Sequence, residues 1–215
     1  MNRNSANSIE QNLQVKYGES FTVTHIGDRL GRDTVTAYAH PSNDSSLVFT
    51  VQASSFGEII SDGYSYRFLC RKVENITENS FSTEGLSTAC IAEFIGCPSN
   101  TDKSISVEDF VQQYKPNRVK IAIVVEKDDN LSGGALSTAI TDVCHNLPDI
   151  NMVFSIFCIS PNDTDVLQGV RKEPFIFGED RLEQLGADSP IVEIYVEVNN
   201  GILSKSADQI SYLIE

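Results

Sequence analysis

The 215-residue chain carries 30 Asp and Glu against 16 Lys and Arg, which gives a formal net charge of −14. This charge argues against a nucleic acid partner, because a phosphate backbone needs a basic face, and it disfavours anionic membrane surfaces. Hydrophobic residues make up 40% of the chain, which is enough to bury a core. We expect a soluble globular protein whose acidity maintains solubility or attracts a cationic partner.

The first eight residues are rich in Asn and Ser and predict a disordered arm over residues 1–8. No apolar stretch follows that resembles a signal peptide, and no segment has the apolar length of a transmembrane helix. Two localisations fit this pattern. The protein is cytoplasmic, or it is extracytoplasmic and tethered through an anchor that preceded this sequence.

The first half of the chain predicts helices and short strands in close succession. Apolar residues at helical spacing predict a helix over residues 8–17, and Gly18 follows as a stop. Alternating or β-branched segments predict strands over residues 21–27, 34–40 and 47–53. A helix is expected from Asp62 to about Glu78, and a further strand over residues 86–96. Such short connections favour an antiparallel meander with helices packed against it.

The second half predicts alternating strands and helices. Ser106 is placed to cap a short helix over residues 107–114, which Pro116 ends. Apolar runs over residues 119–126 and 150–160 predict buried strands, and the segment between them, residues 132–147, predicts a helix. Strand, helix and strand in that order indicate a βαβ crossover with a parallel pair. An alternating strand over residues 191–198, a turn and a final helix over residues 206–214 follow.

These elements predict an α+β fold. An N-terminal helix, an antiparallel β-meander and a covering helix form a first unit over residues 9–97. A smaller α/β-like unit with a βαβ crossover follows over residues 104–215, unless the two units form one continuous domain. The polar stretch from Pro98 to Ser104 is the expected boundary.

The five cysteines do not have the spacing of a zinc site, because no CxxC pair is present. We expect all five to be reduced, and Cys70, Cys90 and Cys158 to be small core residues. A Cys90–Cys97 or Cys70–Cys90 bridge is the alternative. The sequence predicts neither a metal nor a cofactor.

Two loops carry acidic residues that could bind a ligand or a cation. Asp128 and Asn130 occupy the first positions of an EF-hand-like loop, but Ala139 stands where that loop needs a bidentate Glu. Asp163 and Asp165 form a DxD pair before a predicted helix, where carboxylates can bind a divalent ion or share acid and base roles. Helix capping and solvated charge are the structural alternatives for both loops.

A third candidate is the turn between the first two strands, which carries both signs of charge. Asp28, Arg29, Arg32 and Asp33 flank its glycines and could form a recognition loop. A solvated hairpin with weak local ion pairs is the alternative interpretation.

The N-terminal third of the chain resembles the extracytoplasmic part of small, uncharacterised lipoproteins and membrane-tethered proteins of low-GC Gram-positive bacteria. The resemblance covers residues 9–73. It rests on Tyr17-Gly18-Glu19, Gly27, Thr34, Tyr38-Ala39-His40-Pro41, Phe49 and Asp62-Gly63-Tyr64. It implies a membrane anchor and carries no enzymatic activity over to this chain.

These observations favour a non-catalytic binding or interaction domain at the cell envelope, with a protein as its partner. Two alternatives stay open. The chain is a hydrolase that uses acidic residues around Asp128, Asp163 or Asp165, or it is a cytoplasmic regulatory or immunity-type protein that binds a basic partner. The hydrolase requires the two acidic loops to converge.

Overall fold

The structure is a computed structural model and describes residues 3–27, 33–98, 101–147, 149–161, 164–188 and 191–214. The chain divides into two compact units. The first comprises residues 1–68 and 99–103, and the second comprises residues 69–98 and 104–215. Helices and two mostly antiparallel sheets make this an α+β fold, as the sequence predicts.

The first unit contains one helix, a four-stranded sheet and the beginning of a second helix. Its elements are α1 (Arg3–Tyr17), β1 (Phe21–Ile26), β2 (Thr34–Pro41), β3 (Phe49–Ser54), β4 (Ile59–Asp62) and the start of α2 (Tyr64–Thr83). The strands pair in chain order, and every pair is antiparallel. The predicted meander is therefore present, with one strand more than the sequence indicated.

The core of the first unit lies between α1 and one face of this sheet. Ile9 and Leu13 are one helical turn apart in α1 and are fully buried, as expected for the apolar stripe of a surface helix. Phe21 and Phe49 present aromatic rings from the sheet, and Tyr64 packs against both, with ring centroids 4.9 Å and 5.1 Å away. Tyr64 thereby anchors the start of α2 in this core.

Three expectations for the N-terminal part of the chain, up to the end of α2, are corrected by the structure. Residues 3–8, expected as part of a disordered arm, belong to α1, because Ala6 continues the buried face of the helix; residues 1 and 2 lie outside the described residues. Strand β4 was not predicted, because its four residues show no alternation of burial. Helix α2 continues to Thr83, five residues beyond the expected end at Glu78.

The second unit is built on a five-stranded sheet. Its elements, besides the rest of α2, are β5 (Thr88–Ile95), α3 (Val107–Tyr114), β6 (Arg118–Glu126), α4 (Gly133–Asn146), β7 (Met152–Ile159), α5 (Thr164–Val170), α6 (Glu179–Gln184), β8 (Val192–Asn199), β9 (Ile202–Leu203) and α7 (Ala207–Ile214). Strand order follows chain order from β5 to β9. The β6–β7 pair is parallel and the other pairs are antiparallel.

The predicted βαβ crossover is present as β6–α4–β7. Both strands are buried on both faces over most of their length, which explains their near-continuous apolar sequences. Ser132 caps α4 by accepting a hydrogen bond from the Ala135 N–H at 3.1 Å. Gly133 follows at a point where α7 approaches so closely that a methyl group would lie 2.2 Å from the Ala207 carbonyl oxygen. Only glycine allows this packing.

Strand β5 belongs to the second unit, whereas the sequence predicts it as part of the first. All eight residues of β5 pair with β6, so the strand is an integral part of the larger sheet. The division lies within α2, between residues 68 and 69, whereas the sequence places the end of the first unit at residue 97. The second unit is accordingly the larger of the two.

Candidate functional site

A polar cleft of about 650 Å³ opens in the second unit where β5 begins and β6 ends. Glu78 from α2, Thr88 from β5, Glu126 from β6 and Arg171 from the end of α5 contribute to its walls. This edge of the sheet is the carboxyl end of the parallel β6–β7 pair. Ligands of open α/β sheets bind outside the carboxyl ends of the strands. The position and the polar lining make this cleft the candidate functional site.

One wall of the cleft is a hydrogen-bonded network around Arg171. Its Nη2 donates to the Thr88 carbonyl oxygen at 2.6 Å, and its Nε donates to Glu78 Oε1 at 3.3 Å. Glu78 Oε1 also accepts the Cys90 N–H at 3.3 Å. The Arg171 carbonyl oxygen accepts a hydrogen bond from Arg71. This wall is therefore held in place by contacts between α2, β5 and the end of α5, and the charge of Glu78 is compensated within it.

Glu126, the last residue of β6, differs from Glu78 in having unused hydrogen-bonding capacity. Its N–H donates to the Ser87 carbonyl oxygen at 3.1 Å, which fixes the backbone at the mouth of the cleft. Its Oε1 atom is buried and accepts no hydrogen bond from the residues that the structure describes. A buried acceptor without a partner is costly, and such groups are uncommon in native proteins.

The cation that follows Glu126 in sequence does not neutralise it. Lys127 donates from Nζ to the carbonyl oxygen of Ile214 at 2.6 Å, at the end of α7. A cation suits this position, because the carbonyl end of a helix carries partial negative charge. Glu126 is thus a carboxylate in the cleft wall whose nearest basic neighbour in sequence is engaged elsewhere.

The predicted ligand residues Asp128 and Asn130 lie in the loop after β6. Asp128 Oδ1 accepts the Asn130 N–H at 2.8 Å, an Asx turn, and Asn130 Nδ2 donates to the Gly85 carbonyl oxygen at 3.4 Å. Both side chains are thus used to shape the loop. Ala139, at the position of the missing EF-hand Glu, is fully buried in α4. Binding of a ligand or a cation by Asp128 and Asn130 stays a prediction.

The second predicted pair belongs to the connection after β7. Asp165 is exposed in the first turn of α5, a favourable place for a carboxylate, and Asp163 lies outside the described residues. The parallel pairing of β6 and β7 brings this connection to the same sheet edge as Asp128, since the Lys127 N–H donates to the Ile159 carbonyl oxygen at 2.7 Å. In the described ranges no group of three His, Cys, Asp or Glu side chains could hold a metal ion.

The predicted recognition loop lies mostly outside the described residues. Asp28, Arg29 and Arg32 fall in the part of the chain that is not described. Asp33 is exposed just before β2, and its carbonyl oxygen accepts the Ser55 N–H at 2.9 Å. The role of this loop in recognition stays a prediction.

None of the five cysteines, all of which the structure describes, forms a disulfide bond. Cys70, Cys90 and Cys158 are buried, as the sequence indicates. Burial raises the pKa of Cys144 and of Cys158 to about 11. Both thiols are therefore neutral at pH 7 and poor nucleophiles, which is consistent with a packing role.

The first unit contains a separate charged cluster, in which an ion pair contacts a buried aromatic ring. The Tyr64 hydroxyl donates to Glu19 Oε1 at 2.6 Å, and Lys103 forms an ion pair with the same carboxylate. The Lys103 ammonium group also lies 4.9 Å from the centre of the Tyr64 ring. Burial, followed by the hydrogen bond to Glu19, raises the pKa of Tyr64 to about 12.

Glu19 and Lys103 shift each other's titration in this cluster. Burial acts to raise the pKa of Glu19, but the hydrogen bonds from Lys103 and Tyr64 outweigh it and lower the pKa below its usual value. For Lys103, burial acts to lower the pKa, and the bonds to Glu19 and Tyr64 leave it raised. The groups are mutually satisfied, so we assign them to the stability of the first unit.

Sequence reasoning did not single out the residues that line the cleft. Glu78 and Arg171 are 93 positions apart in the chain, and only the packing of α2 against the β5 end of the sheet brings them together. Glu126 did carry a signal. It is the first charged residue after the apolar run from Ile121 to Val125, which predicts that its side chain lies where a buried strand meets polar surroundings.

Comparison with known proteins supports the fold. No protein-family model matches the chain, and no curated protein matches it. A solved structure, the crystal structure of a DUF5037 family protein from Ruminococcus gnavus ATCC 29149, is similar with a TM-score of 0.72 and 16% sequence identity. The match covers 97% of this chain and 98% of that one. At this identity the likeness establishes a shared α+β fold over the whole chain.

Proposed function

We propose that this protein is a non-catalytic binding domain whose polar cleft at Glu126, which we call the acidic cleft, accepts a cationic side chain of a protein partner. The observation that carries the proposal is the buried Glu126 Oε1 atom, which accepts no hydrogen bond from the described residues. An ammonium or guanidinium group supplies both the missing donor and the opposite charge. The net charge of −14 favours approach of a basic partner in the same way.

Small peptides can test the chemistry without knowledge of the partner. We would titrate the full chain with acetylated and amidated Gly-Arg-Gly, Gly-Lys-Gly and Gly-Gln-Gly and follow backbone amide shifts by NMR. The Arg and Lys peptides should shift residues around Glu126 and Ser87, and the Gln peptide should not. Raising NaCl from about 50 to about 300 mM should weaken the binding, because the contact is between charges.

Glu126→Gln is the matching variant, because it keeps the shape and removes the charge. We expect at least about tenfold weaker binding of the Arg peptide, since hydrogen bonds to charged groups are worth about 1.5–3 kcal/mol. Glu193→Gln makes the same change at an exposed position of β8 and serves as the control. Equal binding of the Gln peptide, or equal loss in both variants, would refute the proposal.

We place this domain at the cell envelope, a proposal that rests on the resemblance of residues 9–73 to tethered extracytoplasmic proteins. The described helices include none long and apolar enough to cross a bilayer. The test is the intact mass of the protein isolated from its host. A processed or lipid-bearing N-terminus supports the envelope, whereas an unprocessed chain with five alkylatable thiols supports a cytoplasmic regulatory protein that binds a basic partner.

A hydrolase is the second candidate, and one observation favours it. Asp128 and the connection that contains Asp165 follow neighbouring parallel strands and leave the sheet at the same edge. Purified protein should then hydrolyse p-nitrophenyl phosphate or a p-nitrophenyl glycoside, and Asp128→Asn should abolish turnover. Turnover that survives in Asp128→Asn and in Asp165→Asn would exclude this candidate.

A further inference from the structure

A second cleft, of about 480 Å³, lies at the other end of the same five-stranded sheet. Strand β6 separates it from Glu126. This strand has nine residues, which places the two clefts roughly 30 Å apart at about 3.3 Å per residue. The polar side chains that line the second cleft are Gln112, Lys115, Asn117, Asp149, Asn151 and Asn200. We refer to it as the carboxamide cleft, since four of the six are Asn or Gln.

The backbone around the carboxamide cleft is fixed by specific local structure. Asn200 has a φ of 51° and is followed by Gly201 at 74°, the two-residue hairpin turn that Asn-Gly favours. The Asn200 N–H donates to Asn151 Oδ1 at 3.3 Å, so the turn is linked to the start of β7. The Asn117 N–H donates to the Ile95 carbonyl oxygen at 2.8 Å. Asn117, Asn151 and Asn200 therefore project from ordered backbone.

The end of α3 completes the cleft in an unusual conformation. Lys115 caps the helix in the left-handed region, with a φ of 47°, and its N–H donates to the Val111 carbonyl oxygen at 3.0 Å. A non-glycine residue in this region costs about 1–2 kcal/mol. The following Pro116 is buried. The end of α3, the segments that lead into β6 and β7, and the β8–β9 turn thus form the cleft at this edge of the sheet.

The lining selects the class of ligand. Each carboxamide offers two donors and an acceptor oxygen, a combination that suits hydroxyl groups, which also donate and accept. Lys115 and Asp149 contribute opposite charges, so the cleft as a whole is neutral. An anion would meet Asp149 and a cation would meet Lys115. The lining therefore fits a neutral ligand with several hydroxyl groups.

We infer that the carboxamide cleft binds a neutral polyhydroxylated ligand of the short-oligosaccharide class. The site is separate from the acidic cleft and needs neither Glu126 nor a cationic partner. Binding at one end of the sheet and recognition of a basic side chain at the other are independent, and each can fail without the other.

Side-chain amide signals give a direct test. We would titrate the full ¹⁵N-labelled chain with maltotriose, cellotriose and triacetylchitotriose, each to about 20 mM, a range that detects millimolar Kd values. At least one of these sugars should shift the side-chain NH₂ signals of Asn117, Asn151 and Asn200. Asn117→Ala and Gln112→Ala should each weaken this binding about threefold to tenfold, the value of one hydrogen bond between neutral groups.

Gln168→Ala is the control, because Gln168 is an exposed carboxamide on α5 that lines neither cleft. It should leave sugar binding unchanged. Circular dichroism and Tm establish that each variant is folded, and Gln112 and Asn117 are both exposed, so neither change removes core packing. The inference is overturned if none of the three sugars moves the three Asn signals, or if both cleft variants bind as well as Gln168→Ala.

Discussion

Two carboxylates of the first unit are satisfied by internal partners, whereas Glu126 of the second unit keeps an oxygen that no described residue satisfies. Glu19 accepts a hydrogen bond from Tyr64 and pairs with Lys103. Asp62 binds the Tyr17 hydroxyl at 2.7 Å. Glu126, by contrast, keeps a buried oxygen without a described donor. Under our proposal, this difference separates charge that stabilises the first unit from charge that is available to a ligand in the second.

We expect the largest loss of folding stability from a substitution of Tyr64, which tests the structural role of the first unit. Tyr64→Ala removes a ring that contacts Phe21 and Phe49 and is 1% exposed. Large aromatic to alanine changes in cores cost about 3–5 kcal/mol. We expect a loss of this size in the free energy of unfolding, measured by urea denaturation.

Tyr64→Phe separates the ring from its hydroxyl. It keeps the packing and loses the contacts of the hydroxyl with Glu19 and Lys103, so we expect a cost of about 1 kcal/mol, with Glu19 still paired to Lys103. A Phe variant as unstable as the Ala variant would mean that the polar contact, and not the ring, supports the start of α2.

In the second unit the corresponding structural test is at Gly133. A methyl group there would lie 2.2 Å from the Ala207 carbonyl oxygen and 2.5 Å from the Ser211 nitrogen. These are backbone atoms, so α7 must shift. We expect Gly133→Ala to destabilise the protein by about 1–3 kcal/mol, the usual cost of overpacking, measured as a lower urea midpoint.

Gly134→Ala is the matched control in the adjacent position. Its methyl group would have only the Ser132 Oγ within 4 Å, at 3.8 Å, and alanine favours the helix over glycine by about 0.5–1 kcal/mol. The two neighbouring changes should therefore have opposite signs. If both variants lost the same amount of stability, α4 would tolerate no side chain at its start. Close packing against α7 would then not explain the loss at Gly133.

The two units also differ in how far their structures could be predicted from sequence. Strands β1 and β3 each bury one face. Phe21 and Val23 in β1 are buried and alternate with exposed residues, and so do Phe49 and Val51 in β3 with exposed or half-exposed ones. The apolar residues therefore repeat every two positions, which predicts a strand. Strand β4 has only four residues and an exposed Ile60. No periodic signal of that length distinguishes it from a loop.

In the second unit the strands were predictable and the cleft was not. The buried strands β6 and β7 are predicted by their apolar runs, and a helix between them predicts that they pair in parallel. The partnership of Glu78 with Arg171, however, depends on how α2 and α5 meet β5, which no local pattern encodes. Asp128 and Asp165 were candidate residues because each lies close in sequence to another acidic residue. The buried oxygen without a described donor, however, belongs to Glu126, two positions before Asp128.

The smallest expected effect compares the same substitution in the two units. Glu19→Gln removes the charge that Lys103 and Tyr64 contact, and we expect a loss of about 1 kcal/mol, reduced by partial exposure of the pair. Glu19 has a lowered pKa in the folded state, so its stabilising contribution is present above about pH 4.5, its ordinary value, and is lost as pH falls through the folded pKa. Urea midpoints between pH 7 and pH 3 should therefore converge for Glu19→Gln and the parent protein.

Glu126→Gln should behave in the opposite way at neutral pH. The change removes a charge whose buried oxygen has no described donor, so the free energy of unfolding should stay constant or rise while the Arg peptide loses affinity. If Glu126→Gln destabilised the protein as much as Glu19→Gln does, its carboxylate would be an internal structural group like those of the first unit. Glu126 would then not be available to a partner, and the proposed binding role of the cleft would fail.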